Sequence, residues 1–314
     1  MLYRIRYQLV VIILSLAWLV WVVPDWSYYS DRSWLGKEFM LRDGAEFWQD
    51  GQRVPEGGIR LPFKVTECSY FWVKFNQAWV RKRDVVPFAQ AQTYYRSYLK
   101  EHPRSGWAHT CLGIVWEHQG DLQHAIDEYT KAIRVRPQSI APRLNRATLY
   151  GMQGKTDLAL QDLDAILEID AENVEGHRLR GSVYENRHDY INAWLDYQAA
   201  LNIEPDNPYL CNALAWLLAT CPDPEIRDGR KAVTLARKAC ELNDWSFAFP
   251  IDTLAAAYAE SGDFEQAVKY QELALNQNDD QNEQPGMEQR LGLYQRHQPY
   301  HQSKPLPAKA VDAS

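Results

Sequence analysis

The chain has 314 residues, of which 46% are hydrophobic and 24% are charged, and these values are ordinary for a globular protein. Its formal net charge of −7 argues against a dedicated nucleic-acid binder, which normally presents a basic face. The five cysteines contain no C-x-x-C pair, which excludes the common zinc and redox spacings. We expect small buried thiols, with a disulfide from Cys211 or Cys221 to Cys240 as the alternative in an oxidising compartment.

The first element along the chain is an uncharged apolar segment, residues 9–23, which reads LVVIILSLAWLVWVV. Counted as residues 7–23, it reaches about the lower length limit of a helix that spans a bilayer. Arg4 and Arg6 precede it, and acidic residues follow it. Because basic residues favour the cytoplasmic side, we predict a single-pass membrane protein with a cytoplasmic N-terminus and the bulk of the chain periplasmic or otherwise extracytoplasmic.

In this interpretation, residues 1–24 are the cytoplasmic tip and transmembrane anchor, and residues 25–32 are a linker. The alternative is a cleaved signal peptide, whose apolar region is also short. The sequence WVVPDWSYYS after the apolar run lacks an A-x-A-like cleavage site, which favours the uncleaved anchor.

Residues 33–88 have a different texture, with glycine and proline at short intervals. Leu61, Phe63 and Val65 alternate with Arg60, Pro62 and Lys64, and this alternation is the period of a strand. The run SYFWVKF at residues 69–75 is rich in aromatic and β-branched side chains. We therefore predict a small all-β barrel in this region.

The end of this region, AWVRKRDVVPF, resembles the last strands of bacterial SH3-like domains. The resemblance implies a domain that binds peptides or cell-wall material. Tyr70, Trp72 and Trp79 would then line its ligand groove. The other interpretation assigns part of these aromatic side chains to the barrel core and the rest to a docking surface for the repeats that follow.

Beyond residue 88, the same residue types recur every 34 residues or at twice that interval. The recurring positions are Ala91, Ala125, Ala159 and Ala193, then Tyr95, Tyr129 and Tyr197, and then Pro103, Pro137 and Pro205. A fixed period of this length predicts a solenoid of stacked helices. Solenoids present extended concave surfaces that bind other proteins.

The unit of residues 106–138 resembles a tetratricopeptide repeat, by Leu112-Gly113, Trp116, Gly120-Asp121, Ala125, Tyr129, Ala132 and Pro137. The resemblance implies two antiparallel helices in each unit. We predict a mainly α protein with about five repeats over residues 106–281 and a capping half-repeat helix over residues 89–105. Residues 282–314 are expected to form a C-terminal capping helix and a flexible tail, with the tail beginning near Gln298.

In the family, the first helix of each repeat lines the concave groove. The candidate partner-binding residues at the corresponding positions are Trp107, Glu117, Arg178, Asn186, Tyr209, Asn212 and Trp216. Some family members clamp a C-terminal carboxylate with Lys and Asn in successive repeats, and Arg178 and Asn212 are the remnants of that set here. We expect Arg178, Asn212 and Trp216 to form one patch.

The motifs of nucleotide-binding loops, serine hydrolases and zinc proteases are missing from the sequence. We therefore expect no catalytic residues, no metal and no cofactor. The predicted function is a scaffold that binds a protein or peptide partner near a membrane. The alternative is binding of a cell-wall or other envelope ligand by the SH3-like domain, with the repeats as an assembly arm.

Overall fold

The computed structural model describes residues 35–49, 52–54, 62–68, 72–75, 78–278 and 280–302. The predicted anchor, residues 7–23, lies outside these ranges. Among the described residues, no helix combines the length and the apolar character that a membrane crossing requires. The chain divides into two compact units, Met1–Pro137 and Gln138–Ser314.

The first unit begins with short antiparallel strands that form two sheets in the described residues. They are β1 (Glu38–Leu41), β2 (Phe47–Gln49), β3 (Gln52–Val54), β4 (Phe63–Lys64), β5 (Glu67–Cys68), β6 (Trp72–Phe75), β7 (Ala78–Arg81) and β8 (Val85–Pro87). One sheet has the order β4-β1-β8, and the other has the order β3-β2-β7-β6-β5. A small β region is therefore present where the sequence predicts one.

Within the described residues the strands do not close into the predicted barrel, since no strand of one sheet pairs with a strand of the other, and β1 has two buried faces. Phe39 and Leu41 on β1 join the core between the strands, whereas Met40 points the other way. Met40 pairs with Val86 on β8, and both side chains pack against the helices that follow. Tyr95 donates a hydrogen bond from its hydroxyl to the carbonyl of Leu41 and fixes this packing.

Three helices complete the first unit: α1 (Phe88–Glu101), α2 (Gly106–His118) and α3 (Leu122–Val135). Helix α1 packs against α2, and α2 and α3 form an extensively packed pair. Helix α1 begins directly after Pro87, whose ring fixes the chain direction as it leaves β8. The capping helix predicted over residues 89–105 is thus joined to the β region without a linker.

The second unit consists of helices in the described residues. They are α4 (Ile140–Met152), α5 (Thr156–Ile169), α6 (Val174–Asn186), α7 (Tyr190–Ile203), α8 (Pro208–Thr220), α9 (Gly229–Leu242), α10 (Ala248–Glu260), α11 (Phe264–Gln277) and α12 (Gln284–Gln295). Helices α4 to α11 form four successive pairs, and each pair packs on the next; α12 packs on α11. This arrangement is a solenoid of helical pairs.

Small residues allow the two helices of a pair to approach each other. A Cβ atom added at Gly181 in α6 would lie 2.8 Å from the ring of Tyr197 in α7, and one added at Gly113 in α2 would lie 2.5 Å from Tyr129 in α3. The recurring glycine and tyrosine are therefore a steric pair in which the ring fills the space that glycine leaves. This is the physical cause of the period in the sequence.

In four of the five pairs, the turn between the two helices contains a residue with positive φ. Gly120, Gly154 and Gly262 adopt it with φ of 81°, 69° and 87°, and His188 adopts it with φ of 62° in the third repeat. An aspartate that caps the second helix often follows, as Asp121 and Asp263 do by accepting from the backbone N–H three residues on. These two signals set where the pairs turn.

A buried acid links the two helices in three successive pairs. Glu128 contacts His109, Asp162 contacts Arg143 and Arg146, and Asp196 contacts His177 and Arg180. The three acids are spaced by 34 residues, like the aromatic positions. In the fifth pair a buried acid lies on the first helix instead: Asp252, one position further along its helix than His177 is along α6, accepts from Gln271 on the second helix at 2.7 Å.

Candidate partner-binding groove

The candidate site lies on the face that the first helices of the pairs form in the second unit. Helix α4 contacts α6, and α8 contacts α10, so the first helices of neighbouring pairs lie side by side there. The C-terminal ends of α6, α8 and α10 carry Glu185, Trp216 and Glu260. We call the surface around these three residues the groove.

The groove is occupied by the chain's own C-terminal segment, residues 296–302, which we call the C-terminal strap. After α12 the chain reverses, with the N–H of Gln298 donating to the carbonyl of Leu293 at 3.0 Å. The ring of His297 stacks on Phe264 with centroids 5.2 Å apart. Ordered contacts therefore continue past Gln298, where the sequence places the start of the tail, and residues 303–314 lie outside the described residues.

Trp216 is the aromatic centre of the groove. The centroid of its ring lies 6.1 Å from that of Tyr300 and 5.4 Å from the guanidinium carbon of Arg290. Arg290 is buried and makes two hydrogen bonds to the carboxylate of Asp252, at 2.9 and 2.8 Å. Because two hydrogen bonds to Asp252 hold the guanidinium, the cation lies at a fixed position beside the ring of Trp216.

Two carboxylates flank the aromatic contact. Glu260 Oε2 lies 2.6 Å from His301 Nε2, while Oε1 of the same residue accepts from Arg227 Nε at 2.8 Å. Glu185 accepts from Tyr197 Oη at 3.0 Å and from Gln302 Nε2 at 3.2 Å. Burial raises the pKa of the Glu185 carboxyl, against the two hydrogen bonds, which lower it.

A backbone hydrogen bond completes the contact. The N–H of Gln302 donates to the carbonyl of Thr220 at 2.8 Å. Thr220 ends α8, and carbonyls in the last turn of a helix have no partner within the helix. The groove thus offers a main-chain acceptor beside its aromatic and acidic side chains.

The predicted partner-binding residues lie in different surroundings. In the first unit, Trp107 packs edge-on against Tyr95 and Tyr98 of α1, and Glu117 accepts from Tyr129 Oη at 2.6 Å. Both contacts lie inside the helix packing of that unit. They give these two side chains a structural role there.

In the second unit, the predicted residues differ in the contacts that their side chains make. Arg178 makes a bidentate ion pair with Glu175 one turn earlier on α6, at 2.7 and 2.6 Å. Asn212 is half-buried, and its Oδ1 accepts no hydrogen bond within the described residues. Asn186 is exposed, and Tyr209 is 71% exposed. Of this set, the structure brings Trp216 into contact with the C-terminal strap.

The predicted SH3-like groove residues lie on the outer face of the five-stranded sheet. Trp72 and Trp79 are half-buried, and their strand neighbours Val73 and Val80 fill the core. The guanidinium of Arg81 lies 5.4 Å from the ring of Trp72, and Lys74 lies 5.6 Å from that of Trp79. Tyr70 lies outside the described residues.

Neither the buried acids of the helix pairs nor the strap is among the features predicted from the sequence. The acids at positions 128, 162 and 196 repeat with the 34-residue period and were detectable by the same comparison that found the tyrosines. The strap has no such signal, because residues 298–302 show neither helix nor strand periodicity. Within the described residues, no group of three His, Cys, Asp or Glu side chains could hold a metal ion, and Cys211, Cys221 and Cys240 are buried free thiols.

Comparisons with known proteins agree with the helical pairs. A tetratricopeptide-repeat model matches residues 88–140, and a second one matches residues 252–281. The Hsp70-Hsp90 organizing protein of Triticum aestivum is 28% identical over 141 residues, which cover 45% of this chain and 22% of that protein. Hsp70-Hsp90 organizing protein 2 of Arabidopsis thaliana is 30% identical over 90 residues, which cover 29% of this chain and 16% of that protein.

Solved structures share the fold. A tetratricopeptide repeat protein from Parabacteroides merdae superposes with a TM-score of 0.55 at 20% identity, covering 67% of this chain and 81% of that chain. The structure of the APC/C hetero-tetramer Cut9-Hcn1 gives a TM-score of 0.55 at 15% identity, covering 67% of this chain and 40% of that chain. The chain spans between 16% and 36% of the length of the first curated relatives that it matches. Tetratricopeptide-repeat models thus match two segments of the chain, and solved repeat structures share its helical fold.

Proposed function

We propose that this protein is a non-enzymatic scaffold that binds a protein or peptide partner in the groove around Glu185, Trp216 and Glu260. The observation that carries the proposal is that this groove already holds an extended peptide, the C-terminal strap, through an aromatic ring, two carboxylates and a helix-end carbonyl. Buried aromatic side chains with fixed polar neighbours are the groups that dominate binding energy at protein interfaces.

The comparisons support the same class of function. Two relatives are named as organizing proteins for Hsp70 and Hsp90, and one structural neighbour belongs to a hetero-tetramer. We further propose that residues 7–23 anchor the chain in a membrane, with its bulk on the extracytoplasmic side. Such an anchor would raise the effective concentration of the repeats near membrane-bound partners.

The test uses the full chain, tagged and purified in detergent, as wild type and as the variants Trp216→Ala and Trp194→Ala. Trp194 lies on α7, the second helix of its pair, and its ring faces Lys231, so it is a matched tryptophan outside the groove. After incubation with solubilised membrane extract, the retained proteins are identified by mass spectrometry. We expect wild type and Trp194→Ala to retain a protein that Trp216→Ala loses, and equal retention by all three would overturn the assignment.

The membrane topology has a separate test. A C-terminal tag on the full chain is exposed to protease in intact spheroplasts and in lysed cells. Digestion in intact spheroplasts is expected, since the proposal places the repeats outside the cytoplasm. Protection until lysis would reverse the proposed orientation, and release of the tagged protein by a carbonate wash would contradict the anchor.

A second candidate function belongs to the outer face of the five-stranded sheet. Trp79 pairs across the strands with Trp48 on one side and Lys74 on the other, which places aromatic rings and cations side by side. Aromatic faces of this kind suit a glycan or a peptide of the cell wall. Sedimentation of the protein with purified sacculi, lost in Trp79→Ala and kept in Trp216→Ala, would support this candidate; no sedimentation would reject it.

A further inference from the structure

We propose that the C-terminal strap regulates the groove by occupying it in cis, and that the external partner is an extended peptide in which an aromatic residue is followed by a cationic one. The inference rests on the proposed function and specifies its ligand. The chemistry expected of the ligand follows from that of the strap, the segment that the groove holds in this structure.

The aromatic requirement follows from the surroundings of Tyr300. Its ring lies 6.1 Å from Trp216 and 5.5 Å from the guanidinium carbon of Arg290. Asp252 fixes Arg290 in place, so the ring enters a site with two preformed walls. An aromatic ring loses little conformational freedom on binding and gains contact with both walls, which an aliphatic side chain matches less well.

The cationic requirement follows from the next position. His301 meets Glu260, and Gln302 meets Glu185, so two successive strap residues each face a carboxylate. Carboxylates accept hydrogen bonds and favour a positive donor, and Arg in particular can bind one in a bidentate manner. A glutamate at either position would face like charge. The groove is therefore selective against acidic peptides at these two positions.

The extended shape follows from the backbone. The N–H of Gln302 donates to the carbonyl of Thr220, and this bond does not depend on the side chain of the donor residue. Any extended peptide that places its aromatic residue on Trp216 can reach the same carbonyl two residues later. The side-chain contacts thus determine which peptides bind, and the main-chain hydrogen bond determines the position of the peptide along the groove.

The strap is held by contacts that a partner can replace. His297, Gln298 and His301 are exposed, and Tyr300 is half-buried. Ion pairs with an exposed member contribute about 0–1 kcal/mol, because water competes with them. A tethered segment nevertheless competes strongly, since its effective concentration is on the order of millimolar. A partner that binds the groove weakly therefore does not displace the strap.

The test measures binding of a fluorescein-labelled synthetic peptide, RHQPYHQ, which is the sequence of the strap, to the full chain in detergent by fluorescence anisotropy. The double variant Tyr300→Ala/His301→Ala loosens the strap and leaves the groove residues in place. We expect it to bind the peptide at least about tenfold more tightly than wild type does, because the competing state is depopulated. Equal affinity would overturn the regulation by the strap.

Groove variants are made in the background of that double variant. Trp216→Ala is expected to lose the peptide, and Trp194→Ala is expected to keep it. Glu260→Gln, which preserves shape, is expected to weaken binding several-fold, so the site is tested even if Trp216→Ala fails to fold. Circular dichroism reports folding of each variant. Peptide binding that none of the groove variants changes would overturn the site.

Peptide variants test the ligand chemistry. We expect RHQPYRQ to bind at least as tightly as RHQPYHQ, and RHQPSHQ and RHQPYEQ to bind at least about tenfold more weakly. Equal binding of the glutamate peptide would overturn the cationic requirement. A partner retained by wild type through Trp216, together with unchanged peptide affinity in the double variant, would refute the strap while leaving the proposed function intact.

Discussion

Glycine at position 181 leaves the space that the ring of Tyr197 occupies. A Cβ atom there would lie 2.8 Å from the ring of Tyr197, which is itself buried between the two helices. We predict that Gly181→Ala lowers the free energy of unfolding by about 1–3 kcal/mol, the usual range for an overpacked core. Urea denaturation followed by circular dichroism gives the value.

Gly151 provides the matched control, because a Cβ atom there meets its nearest neighbour, Val183, at 3.9 Å. Alanine is the better helix former, so Gly151→Ala is expected to be neutral or to stabilise the protein by up to about 1 kcal/mol. If the two variants have the same stability, the contact between Gly181 and Tyr197 does not set the spacing of the helices.

Glu185 gives a prediction about pH. Burial raises its pKa in the folded state, so the folded state binds its proton more tightly than the unfolded state, in which the pKa is about 4.3. The resulting stabilisation is fully present below the unfolded pKa and is lost as the pH rises through the folded pKa. Glutamine in its place cannot titrate but keeps an acceptor oxygen.

We therefore expect Glu185→Gln to gain stability relative to wild type as the pH rises from about 4 towards 7. The measurement is the difference in unfolding free energy between the two proteins, by urea denaturation at several pH values. A difference that is constant with pH, or that moves in favour of wild type, would contradict the direction of the shift.

At the scale of the helix pair, the buried acid is the main polar cross-link. Asp162 on α5 is 2% exposed and binds Arg143 and Arg146 on α4. Asp162→Ala would leave both guanidinium groups without this carboxylate in a poorly hydrated site. We predict a loss of about 3 kcal/mol or more in unfolding free energy, as for other buried ion pairs that lose one member.

The control for Asp162 is Asp157, on the same helix. Its side chain is 86% exposed and pairs with Arg187, which is also largely exposed. Asp157→Ala is expected to change the unfolding free energy by less than about 1 kcal/mol, because water screens such a pair. Thermal denaturation of both variants compares them directly, and similar losses would show that burial of Asp162 is not what matters.

The helix pairs could be predicted from the sequence because short-range sterics define them. Gly181 and Tyr197 must coexist for the helices to touch, and the positive φ at Gly154 and Gly262 marks the turns. The two sheets could not be predicted in the same way. Pairing of Met40 with Val86 joins strands that are distant in sequence, and the second buried face of β1 depends on helices that follow later.

Of the three residues that define the proposed groove, Trp216 is among those predicted from the sequence. Trp216 was identified because its position in the repeat faces the concave side. Its partners Tyr300 and Arg290 lie beyond the repeats, and no period connects them with α8. Trp107 was assigned to binding by the same positional rule, but it packs on Tyr95 of the capping helix, which the rule does not consider.

At the scale of the repeat array in the second unit, α12 covers the last pair. Met287 and Tyr294 are fully buried against α10 and α11, and burial of an apolar side chain such as Met287 contributes about 1.5–3 kcal/mol. Deletion of residues 282–314 is expected to speed hydrogen exchange in α10 and α11 more than in α6, since solenoids unfold from an uncapped end.

Mass spectrometry of peptic fragments measures this exchange. Glu288→Ala is the control. This residue is exposed on α12, and in the described residues its side chain accepts a hydrogen bond from Gln284 on the same helix. Its exchange pattern should match that of wild type. A uniform increase over α4 to α11 after the deletion would contradict local fraying and indicate that the unit unfolds as a whole.

The buried acid of the fifth pair ties that pair to the helix that follows it. Arg290 of α12 needs a carboxylate on the first helix of the pair that it covers, and Asp252 supplies it. The equivalent positions in α4 and α6, ten residues before the positive-φ residue of the turn, hold Leu144 and Arg178. A terminal helix docked on the pair that begins with α4 or α6 would meet no carboxylate at that position. The carboxylate of Asp252 therefore favours docking of α12 on the last pair over docking on those earlier pairs.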